Sequence, residues 1–288
     1  MPVDLAKYDF HVVGLDDRAH PMQRRRLTRT GLIRFLSQLA PCHVAMEACG
    51  GAHFLARTAE AMGHRAHVLP GQYVRAYTKP QKNDYADAEA IAEAATWPTM
   101  REGEPQGFPQ QELQLLHRAR SGWVTQRTET ANRIRGSLLE FGIVVPRRLN
   151  TLRRQLPFLL EDTDNGLPEG VRGLLLQLLE QLHQLDDHIE QAACQLEARL
   201  HADSRGQWLL TVPGVGPVVA SAMLAAIGDG RQFRRGRDLA AWLGLVPCQH
   251  SIGGRPRLLG IPKHGNTHLR ALLIHGARAH SGPHPSAN

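Results

Sequence analysis

Seven apolar residues, Leu175, Leu178, Leu182, Leu185, Ile189, Ala192 and Leu196, recur at alternating spacings of three and four. A mean spacing near 3.5 puts them on one stripe of a helix, and that stripe is stable only when something covers it. Val171 to Leu200 is therefore predicted as one long helix, and Gln111 to Phe141, of similar period, as another. Gly142 to Gly170 between them reads as turn-rich. The stripe has two ways to bury: against an antiparallel helix of the same chain, or against a second subunit.

The first hundred residues carry a different rhythm. Tyr8 to Leu15 alternates as a strand does, Arg24 to Leu27 returns as the next, and Thr28 to Leu39 takes helical period before Pro41. His43 to Met46 reads as a short buried strand and Ala52 to Met62 as a helix ended by Gly63. Arg65 to Leu69 is predicted as a strand, and Asp84 opens an Ala-rich helix to about Ala95. Three early strands, then helix, strand, helix, strand, helix, is the order expected of a ribonuclease-H-like α/β domain over residues 1–100. Pro98 to Pro109 reads as a linker to a long-helix coiled-coil spacer over 110–202, followed by a mostly α C-terminal domain over 205–280. A chain of 288 residues has room for this division.

The C-terminal domain opens with Thr211-Val212-Pro213-Gly214-Val215-Gly216-Pro217, which feeds a helix from Val218 to Ile227. This is a helix-hairpin-helix-like element, in which Gly214 and Gly216 let backbone N–H groups approach a phosphate at a helix N-terminus. The plainer alternative is a tight turn between packed helices. Asp238 to Leu243 and Thr267 to Ala279 read as further helices, with Trp242 in the core.

Charge is unevenly spread. The chain carries 34 Lys and Arg against 27 Asp and Glu, a formal charge of +7, which favours a polyanionic partner such as DNA or RNA. From Arg231 to His280 a single acid, Asp238, accompanies Arg234, Arg235, Arg237, Arg255, Arg257, Lys263, Arg270 and two further arginines. Those seven named cations are the candidate nucleic-acid contacts. Four cysteines without paired spacing and the lack of a signal-peptide pattern predict a reducing cytoplasm. No apolar run approaches the roughly 20 residues of a membrane helix, and the histidines form no metal-binding spacing.

Four carboxylates stand out against this basic background. Asp4 lies just before a strand, Glu47 ends the apolar His43–Met46 strand, and Asp84 and Asp87 are one helical turn apart. Cleavage of a phosphodiester by the two-metal route needs several carboxylates around divalent ions about 4 Å apart, and hard oxygen donors suit Mg²⁺ or Mn²⁺. The bland alternative makes Asp84 an N-cap and Asp87 a partner of the helix dipole.

Three stretches resemble the signature segments of the DEDD transposases of bacterial insertion sequences: Val3-Asp4-Leu5-Ala6-Lys7, Met46-Glu47-Ala48-Cys49-Gly50 and Lys82-Asn83-Asp84-Tyr85-Ala86-Asp87 with the residues after it. Pro213-Gly214-Val215-Gly216, Ala240 to Pro247 and Leu269-Arg270-Ala271-Leu272-Leu273 are similar to the family's C-terminal domain. The resemblance spans nearly the whole chain. It implies a RuvC-like N-domain with Asp4, Glu47, Asp84 and Asp87 as metal ligands and a C-terminal serine nucleophile. It also implies recombination of DNA guided by a structured RNA and a homo-oligomer, dimer or tetramer.

The chain departs from that pattern at one decisive place. Where the family has a serine directly before a glycine, this chain has Ile252 before Gly253, with Ser251 one residue earlier. Ser251 is the candidate replacement, but a shift of one residue redirects a side chain, and errors near 1 Å cost on the order of a hundredfold. The reading favours impaired strand transfer. Both ends also read as short: only three residues precede Asp4, Pro2 removes a ladder hydrogen bond and makes the sheet edge suspect, and the chain stops in a Pro-rich tail. The expected activity is DNA recombination. The alternatives are a metal-dependent hydrolytic nuclease or junction resolvase, and an inactive remnant that still binds nucleic acid.

Overall fold

The structure is a computed structural model that describes residues 1–16, 21–78, 84–98, 100, 102–250, 257–262 and 265–282; the side chains of Pro21 and Asp84 also lie outside the description. The chain forms two compact units, Met1–Phe108 and Pro109–Asn288. Each has its own core.

In the first unit, β1 (Pro2–Leu5), β2 (Asp9–Leu15), β3 (Pro21–Thr28), β4 (His43–Glu47) and β5 (Arg65–Leu69) form one sheet in the order β3-β2-β1-β4-β5. The first three strands run antiparallel, while β4 joins β1, and β5 joins β4, in parallel. The parallel pairs need crossovers, and α1 (Arg29–Ser37) and α2 (Ala52–Ala61) supply them. Thr28 sets the start of α1: its Oγ1 accepts from the Gly31 N–H at 3.2 Å. This mixed α/β unit is compatible with the ribonuclease-H-like expectation.

Alternation along the strands assigns the two faces of the sheet. Val3, Phe10, Val12, Val44, Met46, Ala66 and Val68 point to one face and share a core with Leu32 and Leu36 of α1 and Leu55, Ala56 and Ala59 of α2. Leu36 is fully buried, so Leu36→Ala would cost about 2–5 kcal/mol. Ala45 and Leu69 point the other way. They pack with Val74 of α3 (Gly71–Val74) and with Ala90, Ile91 and Ala94 of α4 (Asp84–Thr96).

Two expectations change here. The suspect first strand is the central strand of the sheet, not its edge. Pro2 sits at the first strand position, where a missing N–H costs little, and the chain hydrogen bonds instead through Met1, whose carbonyl accepts from Ala45 N–H at 2.9 Å. The segment read as a linker is pinned to β5, with Gly103 N–H donating to the Val68 carbonyl at 2.7 Å and Glu102 lying 2.6 Å from His67 Nδ1.

The second unit is helical. α5 (Phe108–Leu139) and α7 (Glu169–His201) run antiparallel. Glu112 pairs with Arg199, the Trp123 ring lies 5.1 Å from His188, and Arg127 meets Asp186 at 3.1 Å, numbers rising along one helix as they fall along the other. All seven residues of the apolar stripe are buried. Leu175, Leu178 and Leu182 share a core with Ala131, Ile134 and Leu138 of α5, and Leu196 packs with Leu113 and with Leu224 of α9 (Pro217–Ile227). The stripe thus buries within the chain.

The segment read as turn-rich contains a helix, α6 (Leu149–Glu161), despite Pro157 inside it. An interior proline costs about 3 kcal/mol. Burial of Leu152 and Leu156 against the α5/α7 core offsets it, and Arg153 shares Asp186 with Arg127. The remaining helices are α8 (Ser204–Leu210), α10 (Gly236–Trp242) and α11 (Thr267–Ser281). Trp242 packs edge-on to Phe233 at 5.7 Å and, partly buried, lies against the core of Ala222, Ile227, Leu243 and Leu269. Among the described residues no helix is long and apolar enough to cross a membrane.

Candidate functional site

β1 and β4 lie side by side and in parallel with Val3 opposite Met46. Asp4 and Glu47 each come one residue further along, on neighbouring central strands. Both have the opposite parity to Val3 and Met46, so both belong to the face covered by α4 rather than the face covered by α1 and α2. Register and pleat therefore bring two acids far apart in sequence to one end of the sheet, on one face.

α4 approaches that face through Ile91, with Ala90 and Ala94. Counting back by helical turns from Ile91, Asp87 and then Asp84 continue the same stripe toward the N-terminus of the helix. Two long-range contacts fix the helix over β2 and β3: the Tyr85 ring meets His11 edge-on at 5.0 Å, and Glu89 pairs with Arg24. Asp4, Glu47 and Asp87 are all partly exposed. The field of the two strand acids is felt at Cys49, whose thiol is pushed above its ordinary value by desolvation of the sulfur, then by Glu47 and Asp4. Among the described residues no three His, Cys, Asp or Glu side chains form a metal-holding group. The Asp84 side chain, which the expected set requires, is outside them.

A residue that sequence reasoning missed is Gly71. A Cβ built on it would collide with the carboxylate of Glu47 and stand 3.0 Å from its Cδ. Glu47 thus lies against the bare backbone at the start of α3. Only the pair Pro70-Gly71 directly after a strand hinted at this.

In the helical unit, Gly214 has φ +80° and lies back to back with Gly276 of α11, so that a Cβ on Gly214 would meet the Gly276 carbonyl oxygen at 2.9 Å. Close packing of this loop on α11 gives Gly214 a structural role. Gly216 is the N-cap of α9 and has open space beside it. A groove of about 710 Å³ runs past this loop, with Arg120, His275 and His280 among its lining. Arg234, Arg235, Arg237 and Arg257 are exposed. Arg270 is committed in part to the fold, donating from Nη1 to the Leu243 carbonyl at 2.9 Å. Ser251, Ile252, Arg255 and Lys263 lie outside the described residues.

Residues 206–287 match the model of the transposase IS116/IS110/IS902 family, and residues 2–143 match a DEDD transposase model of IS110 elements. A probable family 20 transposase of Pseudomonas aeruginosa is 46% identical over 96% of this chain and 82% of its own length. The chain belongs to the IS116/IS110/IS902 transposase family. The transposase for insertion sequence element IS1328 of Yersinia enterocolitica is 39% identical, covering 96% of this chain and 82% of that protein. The transposase for IS1111A of Coxiella burnetii is also 39% identical, over 96% of this chain and 76% of its own. The two matched regions of this transposase-family chain fall respectively on the helical unit and on the sheet unit together with the whole of α5.

Proposed function

We propose that this chain breaks and rejoins DNA, with Asp4, Glu47, Asp84 and Asp87 holding Mg²⁺ or Mn²⁺. The observation that carries the reading is the placement of Asp4 and Glu47 on adjacent central strands, on the face crossed by the helix that Asp84 begins. Hard oxygen donors in that setting suit a divalent ion of this kind. The ion, when bound, stabilises charge on the phosphate oxygens.

The chain's own residues do the rest. Glu47 is held against Gly71, and Asp87 is carried on a helix fixed by Tyr85, Glu89 and Ile91. Ser251 supplies the oxygen that attacks phosphorus. Its proton passes to water as the new serine–phosphate bond forms, and the departing DNA oxygen takes up a proton and leaves as a hydroxyl; attack by the hydroxyl of a second DNA end then reverses the step, rejoins the strand and frees the serine. Arg234, Arg235, Arg237 and Arg257, with Arg255, Lys263 and Arg270, contact the phosphate backbone. The partners are element-end and target DNA and a structured guide RNA, and the working form is a homo-oligomer.

The test is a denaturant-resistant protein–DNA adduct formed with element-end DNA and the RNA encoded beside it. The adduct should be weak in this chain and strong after Ile252→Ser. No adduct in either protein would overturn the serine chemistry. A second reading is favoured by Ile252 itself: metal-dependent hydrolysis that leaves free ends and persists in Ser251→Ala.

A further inference from the structure

Within the helical unit α5, α9 and α11 enclose a cleft of about 400 Å³, a size in the range of small-ligand sites. Gln114, His117, Arg118 and Ser121 are spaced as one stripe of α5 and form one wall; three alanines of α9, ending in Ala226, form a smooth wall opposite, and the first turn of α11 closes one end. Most of the lining is small or uncharged. The charged exception, Arg118, is exposed.

The most informative group is His117, which is only 5% exposed. Ser221 donates its hydroxyl proton to the Pro217 carbonyl at 2.7 Å, so its oxygen is left to accept from His117 Nε2 at 3.0 Å. This assigns the proton of the imidazole to Nε2 and leaves Nδ1 as an acceptor. Burial, then His268 and Arg120, lower the His117 pKa to about 4, so the ring is uncharged near neutral pH. The ring lines the cleft and Ser221 does not, so Nδ1 is the nitrogen that meets what enters. No hydrogen bond to Nδ1 is made among the described residues.

The remaining features define the complement. His268 stands edge-on to His117 at 5.9 Å and gives the cleft a flat aromatic side. Asn266 caps α11 by accepting from Leu269 N–H at 3.0 Å, and among the described residues the first-turn amides of Thr267 and His268 have no acceptor, which suits an anion. A planar heterocycle with an N–H edge fits between the alanine wall and His268; a phosphate attached to it fits Arg118 and the helix start.

We propose that this cleft receives one unstacked nucleotide of the bound nucleic acid, its base donating to His117 Nδ1 and its phosphate meeting Arg118 and the first turn of α11. The inference rests on the nucleic-acid-binding reading above. It adds a pocket that reads a single base, separate from the cationic residues that hold the backbone.

The experiment uses the full chain and a single-stranded oligonucleotide carrying one 2-aminopurine, whose emission rises when it leaves the stack. Free 2-aminopurine nucleoside monophosphate and an unlabelled duplex serve as further probes. Ala226→Phe and Ser121→Phe plug the cleft from opposite walls, with melting curves to verify folding. The labelled strand should brighten on binding the wild-type chain. Either folded plug should abolish the rise and weaken single-strand binding on the order of tenfold, the worth of one stacked base, with duplex affinity unchanged. An undiminished rise in both folded plugs overturns the proposal. So does binding of the free monophosphate without any change in the strand. Strand binding without brightening in the wild-type chain overturns this inference alone, whereas loss of all strand and duplex binding overturns the underlying reading as well.

Discussion

A methyl group at position 71 would stand 3.0 Å from Cδ of Glu47, inside normal contact distance, and the carboxylate rather than the strand would yield. Gly71→Ala is therefore expected to lower Mg²⁺-dependent strand breakage on the order of a hundredfold while leaving the melting temperature nearly unchanged. Full activity in that variant would remove Glu47 from the chemistry. His117 makes a different prediction, about pH. Unfolded, its ring titrates near 6.5; folded, burial and then the neighbouring His268 and Arg120 bring it to about 4. Between those values the unfolded chain holds more protons, so the stabilisation is complete above about pH 6.5 and is lost as pH falls toward 4. The amount at stake is at most about 3 kcal/mol. Urea midpoints at pH 7 and pH 4.5 should fall further apart in the wild-type chain than in His117→Gln. The pair Asp4 and Glu47 was legible as two acids beside strands, but not as neighbours. Their adjacency comes from the pairing of Val3 with Met46 across 43 residues, and no local pattern encodes that.

Among the elements, β5 could be read off residue for residue, because Gly63 and Pro70 bracket a short run that ends in Val68-Leu69. The apolar stripe of α7 was equally plain, since its period is the signal; its partner was not, since the contacts that cover it come from α5, α6 and α9. α6 went unread because Pro157 speaks locally against a helix while Leu152 and Leu156 speak for it only once a core exists to receive them. Pro157→Ala should restore a backbone hydrogen bond and relieve the clash with the carbonyl of Arg153, raising stability by about 1–3 kcal/mol in denaturant titration. The turn between α8 and α9 predicts the reverse. Gly276→Ala drives a methyl into the Gly214 carbonyl, and overpacking of this kind costs about 1–3 kcal/mol. A neutral result there would mean that the loop and α11 separate easily.

For the whole molecule, the charge of +7 and the run of exposed arginines at 234, 235 and 237 predict binding that weakens steeply with salt. Replacing all three by Ala should lower the slope of log affinity against log salt by about 2–3, roughly equally for unrelated DNA sequences; an unchanged slope would mean that these side chains do not meet phosphate. The charge asymmetry was visible from sequence, but which cations are spoken for was not: Arg270 looked like its neighbours until its bond to Leu243 appeared. The central place of β1 in the sheet carries a further implication for biogenesis. As the polypeptide leaves the ribosome, the meander of the first three strands can form early, yet the open flank of β1 must wait for a segment some forty residues later. Until β4 arrives that flank is an unpaired edge, prone to recruit foreign strands. Nascent copies whose β4 has not yet emerged from the ribosome should thus be the ones that chaperones retain.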